Sequence, residues 1–243
     1  MRILIVSDIH SNYVALETVL AVAGPHDQIW NLGDTIGYGP RPNECVAATR
    51  HASVLIAGNH DLASLGRVDL NDFNPDARTA NIWNGEQLTP ENRELLDGLP
   101  PRRDIDDRFL AVHASPREPV WEYLLTLDQA RENFAHFDKQ VCFIGHSHVP
   151  LIFRQFADGR CEGPKLPDAG DTLELLSGTR YFINPGSVGQ PRNQDPRAAY
   201  AILDTDAGTI QFQRIDYDIA QTQRQMYDAN LPIALIRRLE YGM

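Results

Sequence analysis

Five short apolar segments of this chain each end beside Asp, Asn or His, and this recurring pattern constrains the fold more than any other feature. A brief apolar run closed by a small or polar residue is typical of a buried strand in a parallel sheet. The segments and the polar residues after them are 3–6 with Asp8 and His10, 29–32 with Asp34, 54–56 with Asn59 and His60, 109–112 with His113, and 141–144 with His146 and His148. Each ending alone is also ordinary turn chemistry, but five in one chain are not expected by chance. Since the carboxyl ends of parallel strands meet at one edge of a sheet, the pattern predicts that these side chains share one site.

The first quarter of the chain alternates predicted strands and helices. Asn12 is a suitable N-cap for a helix that Gly24-Pro25 ends, and a second helix is predicted from Asn43 to Arg50. Strand, helix, strand, helix, strand is the pattern of a parallel α/β sheet with right-handed crossovers.

The segment after Asp61 has little strand pattern. Helices are predicted over 75–88 and 90–96, each with Pro in its first turn. We therefore expect residues 62–100 to form a helical, cap-like insertion over the site or the sheet face, and not a separate domain.

From residue 102 onward the pattern is mostly β. The predicted elements are a hairpin over 102–105 and 108–112, a helix over 128–137, strands over 151–156 and 181–183 with a loop over 157–168 between them, a second hairpin over 198–203 and 209–215, and two short helices over 219–242 divided at Pro232. Two packed mixed β-sheets with helices outside would accommodate both halves of the chain. The predicted fold class is α/β (α+β by some schemes), with residues 1–243 forming a single domain.

The composition limits the classes of partner. Of 243 residues, 42% are hydrophobic, which is enough for a sizeable core, and the formal net charge of -11 removes the diffuse basic field that supports non-specific nucleic-acid binding. The three cysteines have no paired spacing, which favours reduced thiols in a cytoplasmic protein. No apolar run is long enough to span a bilayer. We expect a cytoplasmic protein that binds neither membranes nor nucleic acids, and association into a homo-oligomer is left open.

The polar strand endings form motifs in a definite order along the chain. They are Asp8-Ile9-His10, Gly33-Asp34, Gly58-Asn59-His60-Asp61, His113, Gly145-His146-Ser147-His148 and, later, Asn184-Pro185-Gly186-Ser187-Val188. This order and spread resemble the calcineurin-like metallophosphoesterase superfamily, and the last motif resembles its small bacterial phosphodiesterase-type branch. The resemblance implies a four-layer α/β/β/α sandwich, which agrees with the two sheets predicted above.

The resemblance implies two metal ions joined by one carboxylate. The residues matched to ligand positions are Asp8, His10 and His148 for the first ion, Asn59, His113 and His146 for the second, and Asp34 as the bridge. His60 matches the catalytic histidine of the family, not a ligand. Imidazole, carboxylate and amide ligands without thiolate suit Mn, Fe, Co, Ni or Zn, and the family leads us to expect two divalent ions, with Mn(II) first. The implied chemistry is in-line attack by a hydroxide that bridges the ions, with His60 assisting the leaving oxygen.

Two further residues are candidates for support or substrate contact. Asp61 would either orient His60 or cap the helix that follows, and the sequence does not choose between these roles. Tyr38 would either stack on an aromatic part of the substrate or simply pack. The residues interpreted as surface or structural are His26, His51, His136, Arg154 and Arg180.

One departure from the family bears on the substrate. In the Ser/Thr phosphatase branch the bridging Asp is followed by an Asp that orients the catalytic histidine and an Arg that grips phosphate, and the loop over 35–40 contains neither. The predicted function is metal-dependent hydrolysis of a small phosphodiester or phosphomonoester, with nucleotides among the candidates. The alternatives are a dinucleoside-polyphosphate hydrolase, a protein phosphatase-like enzyme, and a non-catalytic scaffold on the same fold. The scaffold is disfavoured because every ligand position is filled.

Overall fold

Two mixed six-stranded sheets dominate the computed structural model of the protein, which describes residues 1–243. The strands are β1 (Arg2–Val6), β2 (Gln28–Asn31), β3 (Val54–Leu55), β4 (Arg102–Asp104), β5 (Phe109–Val112), β6 (Val141–Phe143), β7 (Leu151–Gln155), β8 (Cys161–Lys165), β9 (Thr172–Glu174), β10 (Arg180–Asn184), β11 (Ala198–Asp204) and β12 (Thr209–Ile215). The strand order is β3-β2-β1-β11-β12-β9 in the first sheet and β4-β5-β6-β10-β7-β8 in the second.

Eight α-helices accompany the sheets. They are α1 (Tyr13–Val22), α2 (Pro42–Thr49), α3 (Asn59–Ser64), α4 (Pro75–Gln87), α5 (Pro90–Asp97), α6 (Leu127–Asn133), α7 (Ile219–Asp228) and α8 (Ile233–Arg238). None of them is both long enough and apolar enough to cross a membrane.

The two sheets pack face to face through a core of seventeen buried residues drawn from both. Trp30 of β2 reaches across this core, and its ring centroid lies 5.6 Å from those of Phe109 and Phe143 in the second sheet. Within β1, Ile3 and Ile5 belong to this central core, whereas Leu4 and Val6 pack in a second cluster with residues of α1. Side chains alternate between the faces of a strand, so a strand covered on both faces is apolar throughout. This explains why the first segment is an unbroken apolar run.

Parallel strands bring the polar endings to one side of the molecule. In the first sheet β1, β2 and β3 are parallel neighbours, and in the second β5 and β6 are parallel. The two edges are joined beyond the strands, because the backbone N–H of His146 donates to Oδ1 of Asp8 at 3.0 Å. Side chains from both sheets therefore enter the same site.

A helical cover lies beside this edge. Residues of α3 and α4 form a cluster with α7, α8 and Tyr38, in which Phe73, Met226 and Leu235 are buried. The cover therefore includes the C-terminal helices as well as α3 and α4, whereas Leu96 of α5 packs in a different cluster with Ile36 and Val46. The backbones of α3 and α4 approach closely at Gly85, where an added Cβ would lie 2.2 Å from the carbonyl oxygen of Ser64.

The predicted fold class, two mixed sheets flanked by helices, is confirmed. Both predicted hairpins and the helices over 75–88 and 90–96 are present within one or two residues of their expected bounds, whereas the third strand stops at Leu55. The loop predicted over 157–168 is wrong in part, because it contains the edge strand β8, and β9 was not anticipated. Both strands lie at sheet edges, where Gly163 and Pro164 of β8 are tolerated although they are poor strand formers.

Substitution of Gly85 tests the approach of α3 and α4. Gly85→Ala is expected to lower the free energy of unfolding by about 1–3 kcal/mol, because the methyl group overlaps the Ser64 carbonyl and forces the helices apart. Gly98→Ala is the matched control, since an added Cβ there meets no atom closer than 3.7 Å and the change should be neutral or slightly stabilising. Urea unfolding of both variants measures the difference. Equal stability of the two would contradict the close packing.

Candidate metal centre

The Asp34 carboxylate lies at the middle of a buried cluster of histidines. Its Oδ2 is 3.6 Å from Nε2 of His10 and 3.4 Å from Nε2 of His113. Two groups of potential ligand atoms share this carboxylate, one formed by Asp8, His10, Asp34 and His148 and the other by Asp34, His113 and His146. Within each group the atoms lie within 4.8 Å of one another, and all these residues are buried.

Asn59 completes the second group. Its side-chain oxygen lies 3.2 Å from Nε2 of His113 and 3.0 Å from Nδ1 of His146. The structure therefore brings together all seven residues that the sequence matched to metal ligands, divided between the two groups as expected.

Backbone carbonyls orient three of the histidine rings. Nδ1 of His113 lies 2.9 Å from the Leu32 oxygen, and Nδ1 of His148 lies 2.5 Å from the Gln190 oxygen. Since a carbonyl oxygen only accepts hydrogen bonds, these Nδ1 atoms carry protons, which leaves Nε2 of each ring facing the centre. His146 has the opposite arrangement, because its Nε2 lies 3.2 Å from the Trp121 oxygen and its Nδ1 faces Asn59.

Several atoms in the centre have no partner in the protein. Oδ2 of Asp8 and Oδ2 of Asp34 are buried and accept no hydrogen bond. Nε2 of His10 faces Nε2 of His148 at 3.0 Å. That separation is about that of two nitrogens bound at right angles to one ion at 2.1 Å. Buried oxygens without hydrogen-bond donors are costly in isolation and are compensated by cations, so the residues present fit divalent transition metals.

Backbone conformation is unusual throughout the centre. Seven of the nine non-glycine residues with positive φ lie there, namely Asp8, His10, Ser11, Asp34, Tyr38, His146 and His148. Each such backbone conformation is unfavourable by on the order of 1–3 kcal/mol and persists only where the surrounding structure enforces it. Here the loops after β1 and β2 are joined by backbone hydrogen bonds, among them His10 N–H to the Asp34 oxygen at 2.9 Å.

Two glycines permit the close approach of these loops. An added Cβ at Gly58 would lie 2.0 Å from Oδ1 of Asp34, and one at Gly145 would lie 2.1 Å from Oγ of Ser7. The glycines of the Gly58-Asn59 and Gly145-His146 motifs are therefore required by the space around the carboxylates.

His60 lies beside the centre and is held by contacts at its backbone and at its ring. Its backbone N–H donates to Oδ1 of Asp34 at 2.8 Å, and its ring Nδ1 lies 2.8 Å from Oδ1 of Asn81 in α4. Burial lowers the pKa of His60 to about 4, so the ring is neutral at pH 7 with its proton on Nδ1. Asn81 was not anticipated, although a buried Asn within a helix whose neighbouring core positions are Ala77 and Ala80 is a usable signal.

Asp61 caps its helix and does not orient His60. Its carboxylate accepts hydrogen bonds at 2.9 Å from the backbone N–H groups of Gly58 and Ile36, and a longer one from Thr35. Of the two roles left open by the sequence, the structure therefore supports capping, because Asp61 stabilises the first turn of α3 and the loop after Asp34.

The carboxylates and His113 have displaced pKa values. Burial raises the pKa of Asp8 to about 7. Burial would also raise the pKa of Asp34, but the imidazoles of His113, His60 and His10 lower that pKa well below its ordinary value. For His113, burial lowers the pKa and the Asp34 carboxylate more than reverses this, so the pKa reaches about 9. In the metal-free protein, protonated His113 and the Asp34 carboxylate therefore form an ion pair, and a bound metal ion would take the place of the His113 proton.

A cavity of about 320 Å³ opens onto His60 and His146. Tyr38 lines it and packs against the metal-side rings, with its centroid 4.3 Å from that of His60 and 4.6 Å from that of His10. Arg192 and Arg238 line the same cavity and were not singled out by the sequence, since neither belongs to a strand-end motif. A cavity of about 420 Å³ beside β7, β8 and β9 contains none of the site residues.

The residues interpreted as surface or structural lie elsewhere. His51 and His136 are exposed, and His26 contacts the Gly24 oxygen. Arg154 pairs with Glu162, and Arg180 donates to backbone oxygens and to Gln155.

Comparison with known proteins agrees with the geometry. A sequence model described as the calcineurin-like phosphoesterase superfamily domain matches residues 1–208. The chain belongs to this superfamily. A crystal structure of a metallophosphoesterase from Sphaerobacter thermophilus is 49% identical, with a TM-score of 0.91 over 100% of this chain and 99% of that one.

Two relatives are similar in sequence. An uncharacterised protein of Methanocaldococcus jannaschii is 36% identical over 99% of this chain and 98% of its own length. A symmetrical bis(5'-nucleosyl)-tetraphosphatase of Vibrio parahaemolyticus is 28% identical over 76% of this chain and 66% of its own length. Membership of the superfamily supports the conclusion that this chain is a hydrolase that acts on phosphoester bonds.

The metal-free phosphoesterase is expected to lose stability as the pH rises from about 7.5 to 9. Over this range folded His113, with a pKa of about 9, keeps a proton that the unfolded chain releases near 6.5, so unfolding becomes easier with pH. Asp8 acts in the same direction up to its folded pKa of about 7. His60 and His146, with pKa values of about 4 and about 3, oppose this trend near pH 6.5, where only the unfolded chain binds protons at them, and are neutral in both states above about pH 7.5. Thermal unfolding in chelator at several pH values measures the trend, and a midpoint that rises with pH would contradict it.

Proposed function

We propose that this chain is a phosphoesterase that uses two divalent transition-metal ions to hydrolyse a small phosphodiester or phosphomonoester. The observation that carries the proposal is that the Asp34 carboxylate belongs to both groups of potential ligand atoms. Asp8, His10 and His148 would hold one ion, and Asn59, His113 and His146 the other. A carboxylate with one oxygen facing a histidine of each group is suited to bridge two cations.

Bound in this way, the two ions would polarise the phosphoryl oxygens and lower the pKa of a water to near neutrality. The chain would supply the remaining functions. The carbonyl contacts of His113 and His148 keep their Nε2 lone pairs directed at the centre, as histidine ligands require. Burial excludes bulk water from the carboxylates and so strengthens every charge interaction within the site.

His60 would act on the leaving oxygen. Its Nδ1 is occupied by Asn81, which leaves Nε2 for the substrate. The ring is neutral in the free protein, and the negative charge of a bound phosphate raises the pKa of a neighbouring imidazole, which favours the protonated form needed to donate a proton.

A second candidate is hydrolysis of a dinucleoside polyphosphate. The similarity to the Vibrio parahaemolyticus tetraphosphatase over 76% of this chain favours it. Rates on diadenosine tetraphosphate and on p-nitrophenyl esters distinguish the two candidates.

The first experiment is metal analysis of protein purified without chelator, followed by hydrolysis of bis-p-nitrophenyl phosphate and p-nitrophenyl phosphate with added Mn(II). About two transition-metal ions per chain together with hydrolysis of either ester would support the proposal. Absence of both metal and activity after Mn(II) is added would overturn it and favour a non-catalytic scaffold. The cytoplasmic location and the self-association expected from the sequence are separate proposals, testable by fractionation and by sedimentation.

Two substitutions separate the proposed roles within the centre. Asp34→Asn is expected to lose both metal and activity, because a neutral amide bridges cations poorly. His60→Ala is expected to lower kcat by about 10²–10⁴-fold while metal content stays at the wild-type level. His136→Ala, at an exposed position, is the control. Metal loss in His60→Ala, or full metal content in Asp34→Asn, would contradict the assignment.

The contact between Asn81 and His60 predicts a pH effect. In Asn81→Asp the new carboxylate lies beside Nδ1 and raises the pKa of His60 by about 1–3 units. If protonated His60 assists the leaving oxygen, the alkaline limb of the kcat profile moves to higher pH by a similar amount. The pH profiles of wild type and variant, at matched metal content, measure this. A limb that stays in place or moves to lower pH would show that His60 does not act as the acid.

A further inference from the structure

Arg192 and Arg238 lie in the same cavity as His60 but come from different parts of the chain. Arg192 lies in the loop between β10 and β11, and Arg238 is the last residue of α8, beyond the residues that the superfamily model matches. Their guanidinium carbons each lie 5.8 Å from the centroid of the Tyr38 ring. The Tyr38 ring also contacts His10 and His60, so one side chain lies beside both the two cations and the metal centre.

Neither arginine is paired with the side chain of an Asp or Glu residue. The ion pairs of the structure include Arg197 with Asp195 at 2.7 Å and Arg214 with the same Asp195 at 3.4 Å, but none involves Arg192 or Arg238. The one acidic residue that lines the cavity is Asp72, and it contacts neither of them within ion-pair distance. Partly buried cations without an anion are unfavourable, so the cavity is suited to an anionic ligand.

The hydrogen bonds of the two arginines leave donors for such a ligand. Arg192 donates from its Nη groups to the hydroxyls of Tyr38 and Tyr123 and to the side-chain oxygen of Gln190, while its buried Nε has no partner. Arg238 donates from Nε to the backbone oxygen of Met243. A guanidinium has five N–H donors, so both side chains are positioned and still have donors unused.

The electrostatics around the pair are consistent with an anion site. Burial lowers the pKa of Arg238, and the charge of Arg192 lowers it further. A phosphate group between the two would relieve this repulsion and accept bidentate hydrogen bonds, which guanidinium groups make better than ammonium groups do.

We propose that Arg192 and Arg238 bind a second phosphate group of the substrate, on the side of Tyr38 away from the metal centre. This rests on the proposed function and narrows it to phosphate esters that carry at least two phosphate groups. One phosphate is cleaved at the metal centre, and the other determines specificity through the two arginines. Arg238 links this specificity to α8, since Leu235 of that helix and Leu239 directly after it pack in the same cluster as Tyr38.

The deciding experiment measures binding of inorganic pyrophosphate to the metal-free protein by calorimetry, which does not depend on catalysis. Arg238→Met keeps the apolar stem and removes the charge, and it is expected to weaken pyrophosphate binding at least tenfold. Arg237→Met is the matched control, because Arg237 is the exposed neighbour on the same helix and its substitution removes the same charge. Binding by the control is expected to stay within twofold to threefold of wild type.

Two results would overturn the proposal. One is pyrophosphate binding by Arg238→Met equal to that of wild type, and the other is an equal loss in Arg237→Met, which would indicate only the general field of a surface. Arg238→Lys guards against misfolding, since it keeps the charge and the packing but loses the planar fork, and it is expected to bind with intermediate affinity.

A second readout uses the metal-loaded protein. The ratio of kcat/KM for a nucleoside 3',5'-bisphosphate to that for p-nitrophenyl phosphate is expected to fall about tenfold in Arg238→Met and to stay unchanged in Arg237→Met. An equal loss on both substrates would place Arg238 at the cleaved phosphate and overturn the proposal. Failure to hydrolyse any ester would refute the proposed function, whereas the pyrophosphate titration would still decide the role of the arginines.

Discussion

The structure depends on one buried carboxylate, that of Asp34. A charged group in a protein interior is costly unless cations or hydrogen-bond donors surround it, and here the His60 backbone N–H and the protonated His113 ring meet that requirement for Asp34. Oδ1 accepts from the His60 backbone, and Oδ2 faces His10 and His113. The glycine at position 58 is needed because no side chain fits against the same carboxylate. The surrounding loops, their positive φ values and the arrangement of the histidines are all consequences of enclosing this one group.

The two packed sheets hold in place the loops that enclose this carboxylate. Residues in the left-handed region are tolerated where neighbouring structure leaves no alternative, and the two sheets provide such structure on both sides. The central core of seventeen buried residues fixes the sheets, and their strands end in loops joined by backbone hydrogen bonds. Rigid strands therefore hold His113 and His146 from one sheet and Asp8 and Asp34 from the other at separations that the loops alone would not maintain.

The helical cover has a different role. It contributes Asn81 to the ring of His60 and Arg238 to the cavity wall, and both residues lie outside the strand-end motifs. The chain has a formal net charge of -11, yet two arginines converge where an anion would enter. The two arginines thus place positive charge in this cavity although the net charge of the protein is negative, so an acidic protein can still contain a site for phosphate. Under the proposed function, the chemistry takes place at the strand edge and the choice of substrate is made by a separate part of the fold.

The sequence predicted most of the strands and the order of the polar endings, because strand periodicity is a local consequence of residue type. The resemblance of its motifs to a known family indicated Asp34 and the six residues that meet around it. The sequence also predicted the helices that begin with Pro75 and Pro90, since proline at a first turn is a local signal. It did not predict the edge strand with Gly163 and Pro164, the choice between the two roles of Asp61, or the partners Asn81, Arg192 and Arg238. Those depend on segments far apart in the chain meeting in space: α4 with the loop after β3, and α8 with the loop after β10. Only the tertiary structure decided them, because no property of the individual residues specifies which distant backbone or ring they will face.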